Sequence, residues 1–185
     1  MNQNVLKTKI GILGGGQLGR MLCLAGANWN LDISVLDSFD CPALGLCKTF
    51  VAGDINNYDD VLNFGRTVDV LTIEIEHVNI DALKQLELEG LKVFPKSAIL
   101  EIIKDKNLQK QFYANNGISS SKFVYYNSKS DLLNDLNLEN NDNKELVESD
   151  EASSISYKLK FPFVQKACIG GYDGKGVAII SAKMI

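Results

Sequence analysis

The chain has 185 residues, 45% of them hydrophobic and 23% charged, a composition that is ordinary for a folded globular protein. A net charge of −4 without a basic cluster argues against nucleic acid as a partner. The N-terminus has no signal-peptide pattern and no apolar run reaches membrane-spanning length, so we expect a cytoplasmic protein without membrane contact. The four cysteines lack a zinc-binding spacing and are expected to be free thiols.

A glycine-rich turn follows the first predicted strand. Residues 8–13 form a β-branched run that stops at the sequence GGGQLG, and residues 20–28 have the apolar spacing of a helix. A second strand over residues 32–36 ends at Asp37. This order is the dinucleotide-binding fingerprint: a strand, GxGxxG, a helix, and a second strand that ends at an acid. The same geometry also binds other phosphates. The pattern therefore predicts a phosphate-binding loop at a helix N-terminus.

Strands and helices continue to alternate as far as a boundary that we place near Gly117. The predicted elements are strands over 49–52, 68–75 and 91–95 and helices over 58–66, 80–89 and 97–115. This alternation is typical of an α/β domain with a parallel, Rossmann-like sheet, which we assign to residues 1–116.

Two acids stand at the carboxyl end of the strongest predicted strand. Glu74 and Glu76 are two residues apart, and so would share one face of an extended chain. Open α/β sheets bind ligands beyond the carboxyl ends of their strands, so both acids are candidates for the site. The competing interpretation is that they are surface acids beyond the end of the sheet.

The remaining residues, 117–185, are predicted to begin a second domain. A strand is expected over 123–126 and a short helix over 131–136, and the polar stretch 137–154 is expected to be a flexible excursion. The domain would hold too few elements to enclose a nucleotide. We therefore expect the chain to be the N-terminal part of a longer protein.

A second glycine-rich loop, GGYDGKG over residues 170–176, lies between predicted strands at 163–166 and 177–180. Four glycines in seven residues permit close approach of the backbone to a phosphate, and Tyr172, Asp173 and Lys175 alternate with them. The simpler alternative is a plain hairpin turn, for which one glycine would suffice.

Four stretches in order resemble the ATP-grasp enzymes of the N5-carboxyaminoimidazole ribonucleotide synthetase family. They are GILGGGQLGRM over 11–21, TIEIE over 72–76, DKNLQKQF over 105–112, and Lys166 with GGYDGKG. The resemblance implies a Rossmann-like pre-ATP-grasp domain followed by the beginning of an ATP-grasp (α+β) domain. It also implies a carbon–nitrogen ligase of purine biosynthesis.

In that family, ATP phosphorylates bicarbonate to carboxyphosphate, whose carboxyl unit passes to the exocyclic amine of 5-aminoimidazole ribonucleotide (AIR). By resemblance, catalysis falls to Glu74, Tyr172, Asp173 and Lys175. Ribonucleotide binding falls to Gly15, Gly16, Gln17, Leu18 and Glu76. ATP binding falls to Lys106, Lys166, Gly171, Gly174 and Gly176.

The resemblance also implies Mg²⁺, held by ligands expected beyond residue 185, and a homodimer. The chain alone is then expected to be inactive. Lys106 stands where the family typically has arginine, which keeps the charge but loses a planar fork of donors. Val177 stands where glutamine is common.

Two alternatives belong to other classes of protein. An NAD(P)-dependent oxidoreductase would use the GxGxxG loop and Asp37, but it leaves the second glycine-rich loop unexplained. A non-catalytic nucleotide-binding or assembly module would end naturally at Ile185.

Overall fold

The computed structural model of the protein describes residues 7–137, 161–171 and 175–181. It divides into two compact units, Met1–Lys104 and Asp105–Ile185. This division lies one helix before the boundary expected near Gly117, and the functional limits of the domains stay predictions. No helix within the described ranges is long and apolar enough to cross a membrane.

The first unit contains a parallel sheet of five strands in the order β3-β2-β1-β4-β5. The strands are β1 (Lys9–Leu13), β2 (Asp32–Asp37), β3 (Thr49–Ala52), β4 (Val70–Ile73) and β5 (Lys92–Phe94). The helices are α1 (Gln17–Ala27), α2 (Tyr58–Gly65), α3 (Ile80–Leu88) and α4 (Ser97–Lys104). The α/β class and the parallel, Rossmann-like sheet predicted from the sequence are confirmed.

Both faces of the sheet are buried, as a parallel sheet requires. Ile12 packs with Cys23 of α1 on one face, whereas its neighbour Leu13 packs with residues of α2 and α3 on the other. Successive residues of a strand point to opposite faces, so β1 contributes to both cores. The first unit therefore holds its strands rigidly at the edge where ligands bind such sheets.

Strand β4 is shorter than the run 68–75 predicted from its apolar sequence. Its last residue, Ile73, pairs with Leu13, the last residue of β1. Glu74 and Glu76 therefore follow the strand in a bend, and the expectation that they share one face of an extended chain is wrong.

The helix predicted over residues 97–115 is two helices, α4 and α5 (Lys106–Asn115). Asp105 between them has an extended backbone, and its side chain accepts hydrogen bonds from the N–H groups of Asn107 and Leu108. An aspartate satisfies these otherwise unpaired donors as an N-cap and therefore begins a new helix.

The second unit continues with α6 (Lys129–Asn137) and an antiparallel pair, β6 (Phe163–Lys166) and β7 (Val177–Ile180). The strand predicted over 123–126 is wrong, because these residues pair with no strand among those described. The excursion predicted over 137–154 lies outside the described residues beyond Asn137.

An exposed ion pair connects the ends of α2 and α3. Arg66 donates from Nε to Glu89 Oε2 at 2.9 Å and from Nη2 to Oε1 at 2.7 Å. These hydrogen bonds, with a further one from Gln85, lower the pKa of Glu89 from 4.5 to about 2. A carboxyl whose pKa is lower in the folded state stabilises the fold above its unfolded pKa, and the contribution disappears as the pH falls.

We therefore expect the stability difference between the wild type and Glu89→Gln to be constant above pH 4.5 and to shrink as the pH falls toward 2. Chemical denaturation at a series of pH values measures it. The control is the same substitution in an Arg66→Gln background, where the pH-dependent part should vanish. A difference that is independent of pH below 4.5 contradicts this assignment.

Candidate functional site

The strand order of the first unit reverses direction between β1 and β4, which pair directly with each other. From β1 the chain proceeds to β2 and β3 on one side and to β4 and β5 on the other. Ligands of open α/β sheets bind at such a reversal, beyond the carboxyl ends of the strands. Gly14 follows β1 there and Glu74 follows β4, so the topology brings together the two sequence motifs of the first unit.

The glycine loop at this point has no room for side chains. A Cβ on Gly14 would lie 2.8 Å from Glu74 Oε2, and one on Gly15 would lie 2.6 Å from Cys41 Sγ. A Cβ on Gly19 would lie 2.4 Å from the carbonyl oxygen of Gly14. Each of these glycines therefore permits a different close approach: to an acid, to a thiol and to the loop backbone.

The N-terminus of α1 differs from those of the neighbouring helices. Asn57 caps α2 and Asn79 caps α3 with side-chain hydrogen bonds, whereas Gly16 gives α1 no side-chain cap. The first turn of α1 also carries no acid, and Gln17 and Leu18 are exposed. N–H groups at such a terminus bind anions well, so the predicted phosphate loop has suitable geometry.

Glu74 lies directly against this loop. Its two carboxylate oxygens are 2.8 Å and 3.4 Å from the positions of a Cβ on Gly14 and on Gly16. Its backbone N–H donates to the carbonyl of Leu13 at 2.9 Å, which fixes the acid at the end of β1. The arrangement places a carboxylate beside a helix end that is suited to binding an anion. There the carboxylate can accept a hydrogen bond or a proton from a bound ligand.

Glu76 is placed differently. Its Oε1 lies 3.7 Å from Nδ1 of His77, and its backbone carbonyl accepts from the N–H of Val78 at 3.0 Å. The two acids that the sequence places together are thus engaged with different partners. Glu74 is the stronger candidate for contact with a ligand of the loop.

Asp37 is turned toward the protein itself. Its Oδ2 accepts a hydrogen bond from the N–H of Gly15 at 2.5 Å, and its Oδ1 accepts from the N–H of Ser38 at 2.6 Å. The terminal acid of a dinucleotide-binding fingerprint instead bonds a ribose hydroxyl of the ligand. This geometry does not support the oxidoreductase alternative.

Sequence reasoning missed the contacts of Asp37 and of Cys41 with Gly15. The sequence pattern marks Asp37 only as the terminal acid of a fingerprint, and Cys41 only as one of four free thiols. Asp37 is the last residue of β2 and Cys41 lies in the connection that follows, whose path has no periodic signal in the sequence. All four cysteines lie in described parts of the chain and are free, as predicted.

The second unit assembles part of the predicted ATP site. The backbone N–H of Lys106 donates to the carbonyl of Cys168 at 2.9 Å, two residues beyond Lys166. The N–H of Ala167 donates to the carbonyl of Gly176 at 2.8 Å, which closes the base of the second glycine-rich loop.

The two ends of the second glycine-rich loop, at Gly171 and Gly176, leave little room for side chains. A Cβ on Gly171 would lie 2.9 Å from the carbonyl oxygen of Lys175, and Gly176 has a φ of +76°. Lys166 and Lys175 are both exposed. Tyr172, Asp173 and Gly174, which were predicted to act in catalysis and ATP binding, lie outside the described residues.

No group of three or more His, Cys, Asp or Glu side chains that could hold a metal ion occurs within the ranges 7–137, 161–171 and 175–181. The described residues therefore do not form a magnesium site.

The fold and the glycine loop define a pre-ATP-grasp domain, and the chain belongs to this family. The family model of the ribonucleotide synthetase preATP-grasp domain matches residues 7–104.

More particular relatives are a carboxylase and ribonucleotide synthetases. The chain is 34% identical over 180 residues to phosphoribosylaminoimidazole carboxylase of Saccharomyces cerevisiae, covering 94% of this chain and 28% of the yeast protein. Its fold is similar to N5-carboxyaminoimidazole ribonucleotide synthetase from Thermotoga maritima, with a TM-score of 0.75, 30% identity, and coverage of 96% and 42% of the two chains.

A third relative was solved with ligands. It is N5-carboxyaminoimidazole synthase from Aspergillus clavatus in complex with ADP and 5-aminoimidazole ribonucleotide, with a TM-score of 0.73 and 26% identity over 96% of this chain and 41% of that chain. The present chain thus spans less than half the length of each of these three relatives.

Proposed function

We propose that the protein is part of a cytoplasmic ATP-grasp ligase that carboxylates AIR with bicarbonate, giving N5-carboxyaminoimidazole ribonucleotide. The observation that carries this proposal is the carboxylate of Glu74 against an uncapped helix N-terminus beyond the carboxyl ends of β1 and β4. A ribonucleotide offers both a phosphate for the helix end and an amine for the acid. The names of the relatives point to the same ligand.

The proposed reaction needs two displacements. An oxygen of bicarbonate attacks the γ-phosphorus of ATP and ADP leaves, which forms carboxyphosphate. The amine nitrogen of AIR then attacks the carboxyl carbon and inorganic phosphate leaves. Carboxyphosphate reacts rapidly with water, so catalysis depends on a site that excludes solvent and holds the amine close.

In the first unit, the N–H groups of Gly16, Gln17 and Leu18 would bind the ribonucleotide phosphate. The N–H of Gly15 already donates a hydrogen bond to Asp37 and would not bind the phosphate. Gly15 would instead let the ligand approach closely, because it has no side chain. Glu74 would accept a hydrogen bond from the exocyclic amine and remove its proton as the nitrogen attacks. Glu76 would support this edge of the site.

In the second unit, Lys106 and Lys166 would contact ATP, with the backbone of Gly171, Gly174 and Gly176 over its phosphates. Close contact of the two backbone segments at Lys106 and Cys168 supports a common role for these lysines. Tyr172, Asp173 and Lys175 stay predicted catalytic residues, and Mg²⁺ is expected to bind with ATP.

The test is ADP release by the protein expressed to the natural end of its coding sequence, with Mg-ATP and bicarbonate. We expect strong stimulation by AIR and formation of a product that loses ¹⁴C-labelled carbon dioxide on acidification. ADP release that AIR does not change would contradict the proposal, and tight binding of NADH would return attention to an oxidoreductase.

We also propose a homodimer that forms through α1. Leu18, Met21 and Leu22 have exposed fractions of 56%, 54% and 43%, and their spacing of three and four residues places them along one side of the helix. An exposed apolar stripe of this kind favours association. Light scattering is expected to give twice the monomer mass, and Met21→Glu is expected to give the monomer. A monomeric wild type at all concentrations excludes the dimer.

A further inference from the structure

We propose that Asp37 is a positioning residue, which holds the first glycine loop so that the phosphate of the ribonucleotide binds at the first turn of α1. The inference rests on the proposed function and adds a residue to it. Asp37 does not touch the ligand in this scheme, because it acts through the backbone of Gly15.

Asp37 is itself held firmly. Its Oδ1 accepts a hydrogen bond from the N–H of Ser38 at 2.6 Å. Its backbone carbonyl accepts from the N–H of Gly53, just beyond β3, at 3.1 Å. A carboxylate with these restraints can fix the position of the group that its second oxygen binds.

That group is the N–H of Gly15, which donates to Asp37 Oδ2. The carbonyl of the same residue accepts from the N–H of Ala43 at 2.9 Å, and the thiol of Cys41 packs where a side chain would stand. Asp37 at the end of β2 and Ala43 in the connection that follows therefore hold the N–H and the carbonyl of Gly15. Gly15 is buried, so water cannot easily replace Asp37 as the acceptor.

The hydrogen bond to Asp37 also influences where a phosphate binds. With the Gly15 N–H engaged by a carboxylate oxygen, the donors left for an anion are those at the start of α1. The ribonucleotide is thereby held in one register, with its amine near Glu74.

The experiment compares Asp37→Ala with Asp37→Asn in the AIR-stimulated release of ADP. Alanine removes the acceptor and leaves a buried N–H unpaired, so we expect KM for AIR to rise about tenfold or more. We expect KM for ATP to stay unchanged. Asparagine keeps an oxygen for Gly15, and Ser38 is exposed to water, so KM for AIR should stay within about threefold of the wild type.

Asp40→Ala is the matched control. This exposed carboxylate accepts from the Ser38 hydroxyl at 2.7 Å but has no hydrogen bond to the loop, so its removal should leave both KM values unchanged. Fluorescence of Trp29, the one tryptophan of the chain, shows whether each variant is folded.

The outcomes separate the inference from the function on which it rests. A wild type that AIR does not stimulate contradicts the proposed function. If the wild type is stimulated, the role of Asp37 is overturned by an alanine variant with normal KM for AIR or with equal rises for AIR and ATP. Should the alanine variant fail to fold, a rise of tenfold in the folded asparagine variant would overturn it as well.

Discussion

Replacement of Gly19 by alanine is expected to lower the free energy of unfolding by about 3 kcal/mol. Alanine is the better helix former by about 1 kcal/mol, so propensity alone predicts the opposite sign. The new Cβ would lie 2.4 Å from the carbonyl oxygen of Gly14, however, and that oxygen belongs to the backbone between β1 and α1. Relief of the clash requires movement of the helix or the loop.

Gly26→Ala is the matched control, because Gly26 is also a buried glycine of α1. Its Cβ would lie only 2.2 Å from an atom, but that atom is the terminal Cδ1 of Ile33, which a change of rotamer can move. We expect a smaller loss of stability there. Urea denaturation followed through Trp29 fluorescence measures the free energy of unfolding of both variants. A larger loss for Gly26→Ala would show that the clash distance, and not the kind of atom, determines the loss of stability.

The approach of Glu74 to the first glycine loop can be predicted from strand ends, whereas the roles of these residues stay predictions. The GGGQLG turn and Glu74 each follow a strand that is apolar enough to recognise, and a parallel sheet brings such ends together. No information on side-chain direction is needed to predict that Gly14 and Glu74 are neighbours. The fold of the first unit follows from the same regular alternation of strands and helices.

The errors of the sequence-based predictions arise where the backbone is determined by individual hydrogen bonds or by a pairing partner rather than by the periodicity of apolar residues. Asp105 lies in a continuous helical pattern, yet its side chain binds backbone donors and begins a second helix. Residues 123–126 have the composition of a strand, but strand formation requires a partner, and composition cannot supply one. The hydrogen bond from Gly15 to Asp37 likewise depends on tertiary approach of two turns.

Glu74→Gln is expected to lower the AIR-dependent rate of ADP release by about a hundredfold or more, the usual loss when a general base is removed. Glutamine has nearly the same shape and keeps one oxygen as an acceptor, so the loop should retain its packing. It cannot take a proton from the amine as nitrogen attacks the carboxyl carbon. The loss should therefore appear in kcat, with a smaller change in KM for AIR.

Glu76→Gln gives the sharpest comparison, because the same chemical change is made two residues away. The carboxylate of Glu76 lies near His77, whereas both oxygens of Glu74 face the glycine loop. Replacement of a supporting acid that does not take the proton should lower kcat much less than replacement of the general base. Equal losses in the two variants would mean that the negative charge of this strand end matters, rather than the position of one base. A loss confined to Glu76→Gln would mean that the site binds its ligand on the side of His77 and that Glu74 only supports the loop.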